Sequence, residues 1–451
     1  MPSASGTLAP ILSANFPSSD ESKKSHILYV NNLVRLKKYA PELRSEIFRL
    51  TTDRVIKLDM QMRTDFDELD EQDAAMILNA VTSDDLQDED DDDDDDSDID
   101  SVTSDDGDEV DIKQIQAKVE KLDVMMDYLF EMYEPYFKDP DSAQAHNTME
   151  MLLSHFRTII LPMYRSRHTQ FLLFHFAQRS KDLVDMFAGE CAYLAFNSER
   201  SDVVKQSAAA YLASFVARGR QVSPARVIDV FHVFGSKILQ MLDEHEAGCR
   251  GPDLHRYGTF YATTQALIYI FCFRWRDLII KNDSWEEIET EEDYHDRDLE
   301  WQPNVRALLE RTIYSKLNPL KVCSPVIVAE FAKIALHLQF MYVYPKIESN
   351  RHVRLAQRTL NIPAFRESAA GTSVEDIDSW NQLDAVFPFD PYQLPVSKRK
   401  WIVDDYTEWR DIVPLGMPAN DDETDDSSDE EEVDDEEEYD EEDTATEVGE
   451  D

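Results

Sequence analysis

The sequence predicts an all-α fold, an α-solenoid of HEAT-like antiparallel helix pairs. Amphipathic segments with the 3.6-residue period of a helix follow one another along the chain. Only 11 of the 451 residues are glycine, too few for the hairpins, blades and phosphate-binding loops that many other folds need. No segment shows the alternation of apolar and polar residues that indicates a strand. Helix pairs recur about every 40–50 residues, which is near the HEAT and armadillo spacing.

The first helices are expected after a loop at the N-terminus. Residues 1–25 lack a clear apolar period and are interpreted as a loop. Residues 26–64 predict a HEAT-like helix pair, because the segment ILYVNNLVRLKKYA has one apolar face. Pro41 follows it at a position where a second helix can begin. The turn between the two helices is therefore very short, as in an αα-hairpin.

Two acidic segments account for nearly all of the net charge of −48. Residues 65–111 contain 24 acids and residues 421–451 contain 21, with no Lys or Arg in either. The remainder carries 48 acids against 45 bases, so it is close to neutral. Like-charge repulsion predicts a disordered acidic loop at 65–111 and a disordered acidic tail at 420–451. A hydrophobic content of 42% excludes a wholly disordered chain, and the charge excludes a broadly cationic nucleic-acid coat.

Residues 112–350 predict further HEAT-like repeats. Within them, Phe171–Phe176 is apolar on nearly every side, which places it centrally in the packing. A shorter acidic segment at 282–300 interrupts the repeats. Residues 351–419, rich in proline and aromatic side chains, are expected to pack irregularly on the last helices. The predicted helices are 112–134, 149–161, 169–196, 203–218, 224–242, 258–280, 303–316 and 325–344.

No residue pattern predicts catalysis, a metal or a cofactor. The motifs GxxxxGK[ST], HExxH and GxSxG do not occur. The four cysteines lie far apart, which is typical of reduced thiols, and His245, Cys249 and His255 have no standard zinc spacing. The N-terminus does not resemble a signal peptide, and the most apolar stretch, residues 261–280, contains too many polar groups to face lipid. We therefore expect a soluble, intracellular protein without enzymatic activity.

Four serines have the surroundings that acidophilic kinases require. Ser97, Ser104, Ser427 and Ser428 are each followed closely by acidic residues. Phosphorylation would add about −1.5 to −2 charge at each of them.

Basic residues cluster at two places in the otherwise neutral body. The first cluster is either a solvated helix face that partly neutralises the acidic segment before it, or a contact with DNA phosphate. The second is a short candidate for nuclear import. The clusters are Arg306, Arg311, Lys316 and Lys321 for the first and Lys398, Arg399 and Lys400 for the second.

The wording and order of several segments resemble the RNA polymerase I-specific transcription initiation factor family. The segments are YAPELRSEIFRLTTDRVIKLD with the acidic loop after it, LPMYRSRHTQFLLFHFAQ, QSAAAYLASFVARG, GTFYATTQALIYIFCFRWRDL, LNPLKVCSPVIVAEFA and VFPFDPYQLPVSKRKW. The resemblance covers about residues 16–410. QSAAAYLASFVAR, LNPLK and FPFDPY are the most specific of them.

The resemblance implies a HEAT-repeat protein of the nucleus and nucleolus that is not an enzyme. Such a factor binds RNA polymerase I near its stalk and also binds core factor at the ribosomal DNA promoter, so that it bridges the two. Phosphorylation of a serine patch controls the association in the family. Ser18, Ser19, Ser22 and Ser25 are the candidates for that patch here, with an ordinary polar loop as the alternative. The family also has further helical repeats ahead of the segment that begins at residue 16, which this sequence does not contain.

Composition alone leaves a second function open. Nuclear transport receptors and histone chaperones can hold basic cargo with acidic tracts. In that case the tail at 420–451 would carry the binding, whereas an initiation factor would use its near-neutral helical body. The oligomeric state is not predicted.

Overall fold

The computed structural model describes residues 2–67, 107–163, 166–280, 299–352, 382–385, 387–389, 392–399 and 405–414. Within these ranges the protein is helical and has no strand, only two isolated β-bridges. The predicted all-α class is therefore confirmed. Residues 344–352 are also helical. The main helices are α1 (Pro2–Ala14), α2 (Lys23–Tyr39), α3 (Arg44–Asp67), α4 (Gly107–Tyr133), α5 (Ala143–His155), α6 (Phe171–Ala177), α7 (Lys181–Phe196), α8 (Asp202–Arg218), α9 (Pro224–His245), α10 (Leu254–Arg274), α11 (Val305–Ile313), α12 (Pro325–His337) and α13 (Pro395–Lys398).

Helices that follow one another along the chain pack against each other. α2 and α3 both pack on α4, α7 packs on α8, and α9 packs on α10. α10 also packs on α8 and α12, and it is the most extensively buried long helix. All seven residues of α6 are buried, as its apolar sequence predicts.

The prediction of a loop over residues 1–25 is wrong for its first part, because Pro2–Ala14 forms helix α1. The C-terminal carbonyls of a helix have no partner within it and need donors from elsewhere. Here the Tyr29 hydroxyl donates to the Leu12 carbonyl at 2.7 Å. The Arg54 guanidinium donates to the Ser13 carbonyl at 2.9 Å. Tertiary hydrogen bonds that leave no trace in the local pattern thus stabilise α1.

The acidic loop expected at 65–111 is wrong at both ends, where the chain is helical. α3 continues to Asp67 and α4 already begins at Gly107. The disorder expected for the loop and the tail falls on 68–106 and 415–451, outside the described residues.

Two predicted helix boundaries are also wrong. The single helix expected at 169–196 is two helices, because Ser180 adopts an extended conformation and caps α7. Its hydroxyl accepts a hydrogen bond from the Leu183 N–H at 3.4 Å. The helix expected to stop before Pro162 instead continues through a π-turn and a 3-10 turn to Met163.

The segment after residue 381 does not pack only on the last helices, as expected, but crosses much of the array. The segment begins beside the last helices: the Leu383 N–H donates to the carbonyl of Val322, which lies between α11 and α12, at 2.8 Å. It then reaches back to α4, on which α13 packs. The returning residues 405–412 bond to α8 and to the end of α10. We call the described residues between 382 and 414 the C-terminal strap.

Candidate functional site

The four serines of the predicted patch lie within residues 18–25, which run from the connection after α1 into the first turn of α2 and are here called the serine segment. Ser22 is the N-cap of α2. Its hydroxyl accepts a hydrogen bond from the Ser25 N–H at 3.2 Å and lies 3.2 Å from the Ser25 hydroxyl. Two of the candidates are therefore engaged in starting a helix.

A nearly buried lysine holds the other half of the serine segment. Lys121 of α4 is only 7% exposed. Its ammonium donates to the carbonyls of Ser19 at 2.8 Å and Glu21 at 2.6 Å. Burial is the main cause that lowers the pKa of Lys121. The Ser18 N–H donates to the Glu21 carboxylate at 3.0 Å, so the backbone of the segment has a defined shape while Ser18 itself stays exposed.

Two cavities of about 250 Å³ and 290 Å³ flank the serine segment. Ser19 lines both, and its hydroxyl accepts a hydrogen bond from the Gln61 side chain at 3.2 Å. Two cations of α4 line one cavity and two cations of α3 line the other, so a phosphate group on Ser19 would lie near both pairs. These cations are Lys118 and Lys121 in one cavity and Arg54 and Lys57 in the other.

A fully buried carboxylate ties α3 to the turn before α6. Asp59 accepts hydrogen bonds from the N–H groups of His168 and Thr169, both at 2.9 Å. It also lies 3.0 Å from Nδ1 of His168. Burial alone would raise the pKa of Asp59, but the hydrogen bonds from His168 and the backbone lower it. The charged carboxylate is thus the stable form in the fold.

Asp123 of α4 fixes residues 396–397 of the C-terminal strap in a similar way. It accepts the N–H of Val396 at 2.8 Å and that of Ser397 at 2.7 Å, and it also accepts the Ser397 hydroxyl. The same hydroxyl lies 2.7 Å from the Tyr392 hydroxyl. Burial raises the pKa of Asp123, although these donors act against the increase. The short helix α13 begins at this carboxylate.

Phe389 anchors the middle of the strap inside the helices. It is fully buried, and its N–H donates to the Ser214 hydroxyl at 3.0 Å. Its carbonyl accepts a hydrogen bond from the Tyr406 hydroxyl at 3.0 Å. Ring centroids of α6, α7 and α8 lie between 5.0 and 6.3 Å from that of Phe389. The rings are Phe171, Phe174, Phe187, Tyr211 and Phe215.

The basic stretch predicted for DNA phosphate is partly engaged with carboxylates. Arg306 pairs with Glu310 at 3.3 Å. Arg311 contacts both carboxylate oxygens of Glu246, at the end of α9, and this contact is the main cause that lowers the Glu246 pKa. The Lys316 side chain is exposed, whereas Lys321 is half-buried. Contact with DNA remains a prediction.

The remaining candidate residues are separated or lie beyond the described chain. Lys398 is exposed at the end of α13, while Arg399 pairs with Asp127 at 3.4 Å. The other candidates lie outside the described residues. They are Lys400, Ser97, Ser104, Ser427 and Ser428.

The cysteines are unpaired, as predicted. In the described ranges, no three His, Cys, Asp or Glu side chains come together in a way that could hold a metal ion. None of the helices described above combines the length and apolar character needed to cross a lipid bilayer.

Comparison with known proteins identifies the family. A family model described as "RNA polymerase I specific transcription initiation factor RRN3" matches residues 1–414. The chain belongs to the RRN3 family. It is 28% identical over 436 residues to the RNA polymerase I-specific transcription initiation factor rrn3 of Schizosaccharomyces pombe, covering 94% of this chain and 67% of that protein.

Two further RRN3 proteins and one solved structure are also similar to this chain. The mouse protein, Mus musculus RRN3, is 28% identical with 91% of this chain and 59% of that protein covered. RRN3 of Saccharomyces cerevisiae is 25% identical, with 91% and 69% covered. The chain therefore spans about three fifths to two thirds of the length of these relatives. A structure titled "Crystal Structure of RNA Polymerase I Transcription Initiation Factor Rrn3" shares the fold, with a TM-score of 0.67 and 24% identity over 91% of this chain and 71% of that one.

The sequence did not predict the three charged side chains that hold the serine segment, the turn before α6 and the C-terminal strap in place. Lys121, Asp59 and Asp123 each bind backbone groups far away along the chain. The available signal was weak: Asp59 and Asp123 are charged residues directly after apolar positions in helical patterns.

Proposed function

We propose that this RRN3-family chain is an initiation factor that binds RNA polymerase I and recruits it to the ribosomal DNA promoter through core factor. The family match over residues 1–414 is the observation that carries the proposal. Its relatives are named as RNA polymerase I-specific transcription initiation factors. The activity is non-enzymatic: the helical body binds two large partners and brings them together. The sequence resemblance favours a polymerase contact near the stalk and action in the nucleolus.

The serine segment supports a proposal for regulation. Lys121 and the N-cap of α2 hold the segment in one shape, so a partner would meet a preformed surface. A phosphate on exposed Ser18 would add negative charge to that surface and weaken contact with an acidic partner. A phosphate on Ser19 would also attract the flanking cations and change the local shape.

Affinity purification of the tagged full chain with mass spectrometry tests the proposed function. We expect RNA polymerase I subunits and core-factor subunits to be recovered together, and the tagged chain to concentrate in the nucleolus. Recovery of core factor without polymerase would contradict bridging. Recovery of histones or transport cargo, with neither polymerase nor core factor, would contradict the function itself.

A nuclear transport receptor or histone chaperone is the second candidate. The specific observation in its favour is the run of 21 acids without Lys or Arg in residues 421–451. The two functions differ in the part of the chain that binds: the tail for a chaperone and the helical body for an initiation factor.

A further inference from the structure

α2 has a charge opposite to that of the chain. The helix contains five Lys or Arg residues and no acid, while the whole protein has a net charge of −48. Lys23 at its start pairs with Glu120 at 3.3 Å. The other four basic residues of α2 form no ion pair with any residue that the structure describes.

Part of this charge lies next to large exposed side chains. Leu28, Arg35 and Tyr39 are spaced at i, i+7 and i+11, so they share one face of the helix. Leu28 is 57% exposed and Tyr39 is 87% exposed. The opposite face buries His26, Val30 and Leu33. We call Leu28, Arg35, Lys38 and Tyr39 the α2 face.

The end of α2 concentrates further cations around one ring. The Lys37 ammonium lies 5.3 Å from the Tyr136 ring centroid, and the Arg44 guanidinium lies 5.0 Å from it. Burial first, and then the charges of Arg44 and Lys38, lower the Lys37 pKa. The only acid in the sequence between residues 22 and 45 is Glu42.

Stabilisation of the helix itself explains the presence of only some of these side chains on α2. Lys37 and Lys38 lie in the last turn, where cations complement the negative end of the helix dipole. That effect does not account for Arg35 or for the exposed side chains of Tyr39 and Leu28. Arg35 and Tyr39 are neighbours at i, i+4, and arginine and tyrosine are two of the residue types enriched in protein-binding hot spots.

We propose that the α2 face docks an acidic protein surface. Under the proposed function, on which this assignment rests, that surface belongs to RNA polymerase I. A protein partner is favoured over nucleic acid because Arg35 and Lys38 lie beside the exposed Tyr39 ring at the C-terminal end of α2. Contacts with a phosphate backbone use basic side chains spread along its track, whereas Arg35, Lys37 and Lys38 lie within the last turns of a single helix.

The test is the double variant Arg35→Glu, Tyr39→Ala in the full chain. We expect its Kd for purified RNA polymerase I to rise about tenfold or more, and the dependence of Kd on salt to become weaker. The matched control is Tyr193→Ala, Arg200→Glu, which changes an exposed tyrosine and arginine elsewhere and should bind like wild type. Thermal unfolding should be the same for all three proteins, because these side chains are exposed.

Equal polymerase affinity of the wild type and the α2-face variant would overturn the inference and leave the proposed function intact. The inference is likewise overturned if the variant loses only binding to promoter duplex DNA or only self-association. If wild type binds no polymerase, the proposed function fails. The α2 face is then tested with a fluorescein-labelled peptide of repeating Asp-Glu-Leu, which wild type should bind and the variant should not. Equal binding by both would overturn the inference independently.

Discussion

At the scale of single residues, two buried aspartates place segments that are distant in the sequence. Asp59 binds residues 167–169, and Asp123 binds residues 396–397. Each carboxylate accepts backbone N–H groups that would otherwise be unpaired at the start of a helix or turn. The two differ in the balance of burial and hydrogen bonding, which lowers the Asp59 pKa and raises the Asp123 pKa.

Asp59→Asn should change the acid stability of the protein. Because the folded-state pKa of Asp59 is below its unfolded value of about 3.9, the charged form stabilises the fold above about pH 4. That contribution is lost as the pH falls through the folded-state pKa. We expect the variant to be about 1–3 kcal/mol less stable at pH 7 and to lose less stability below about pH 4. Urea unfolding at several pH values measures both effects.

Asp141→Asn is the control for this experiment, since Asp141 is exposed in the connection before α5. Its urea unfolding curves should follow those of wild type. If Asp59→Asn and wild type lose stability in parallel below pH 4, the assigned role of the Asp59 charge is wrong.

Ser18→Glu with Ser22→Glu should lower the amount of RNA polymerase I that co-purifies with the chain. The added charges lie on the serine segment and would repel an acidic partner surface. The corresponding Ser→Ala variant should retain the polymerase, although loss of the Ser22 cap costs about 1 kcal/mol of stability. Ser198→Glu, at an exposed serine between α7 and α8, is the matched control. Equal recovery by the Glu and Ala variants would remove these serines from the interface.

At the scale of elements, the helices follow from local patterns and the strap does not. α2, α3 and α4 have clear apolar faces, and the burial of α6 follows from its composition. The path of the strap depends on hydrogen bonds such as that from Val396 to Asp123, 273 positions apart. No local period encodes such a pairing, so the expected packing on the last helices was only partly right. The serine segment was identified from the sequence as a candidate, but the buried lysine beneath it was not.

Phe389→Ala should loosen the strap. The ring fills a space among five aromatic side chains, and removal of a buried phenylalanine typically costs about 3–5 kcal/mol. Hydrogen exchange should become faster at the backbone amides of residues 382–414, with a smaller change in α2 and α3. Tyr314→Ala, at an exposed ring, should not change exchange in the strap. Unchanged protection in the Phe389 variant would show that the ring does not anchor the segment.

The basic stretch around α11 allows a direct test of DNA binding. Arg311→Ala with Lys316→Ala should reduce the slope of log affinity against log salt by about one for each phosphate contact removed. Because Arg311 already engages Glu246, we expect most of the change to come from Lys316. Binding of promoter DNA over a salt series measures the slope. An unchanged slope identifies the stretch as a solvated helix face.

At the scale of the whole molecule, the C-terminal acidic segment lies outside the part of the chain that carries the described contacts. The folded contacts described above all lie within residues 2–414, whose family match ends at the same position. The 21 acids of residues 421–451 lie beyond them. This division allows the two candidate functions to be distinguished by removing one part.

Deletion of residues 420–451 should leave polymerase recovery unchanged, because the helical body and strap remain complete. A histone chaperone would instead lose histone binding, since the deletion removes 21 carboxylates and no Lys or Arg. Pull-downs with purified polymerase and purified histones, run side by side, measure both. If the shortened chain lost the polymerase but kept histones, the assignment of the tail to histones and of the helical body to the polymerase would be reversed.

The strap also has a consequence for how the protein is made on the ribosome. Stacked repeats can generally fold one after another as they emerge. Here the Asp123 carboxylate emerges 273 positions before the Val396 amide that it binds. At synthesis rates of about 5–20 residues per second, this separation corresponds to roughly 14–55 seconds. Phe389 emerges 175 positions after Ser214, which its N–H binds, so the aromatic side chains of α6, α7 and α8 around it stay uncovered for about 9–35 seconds. Until then this aromatic surface is open to chaperones.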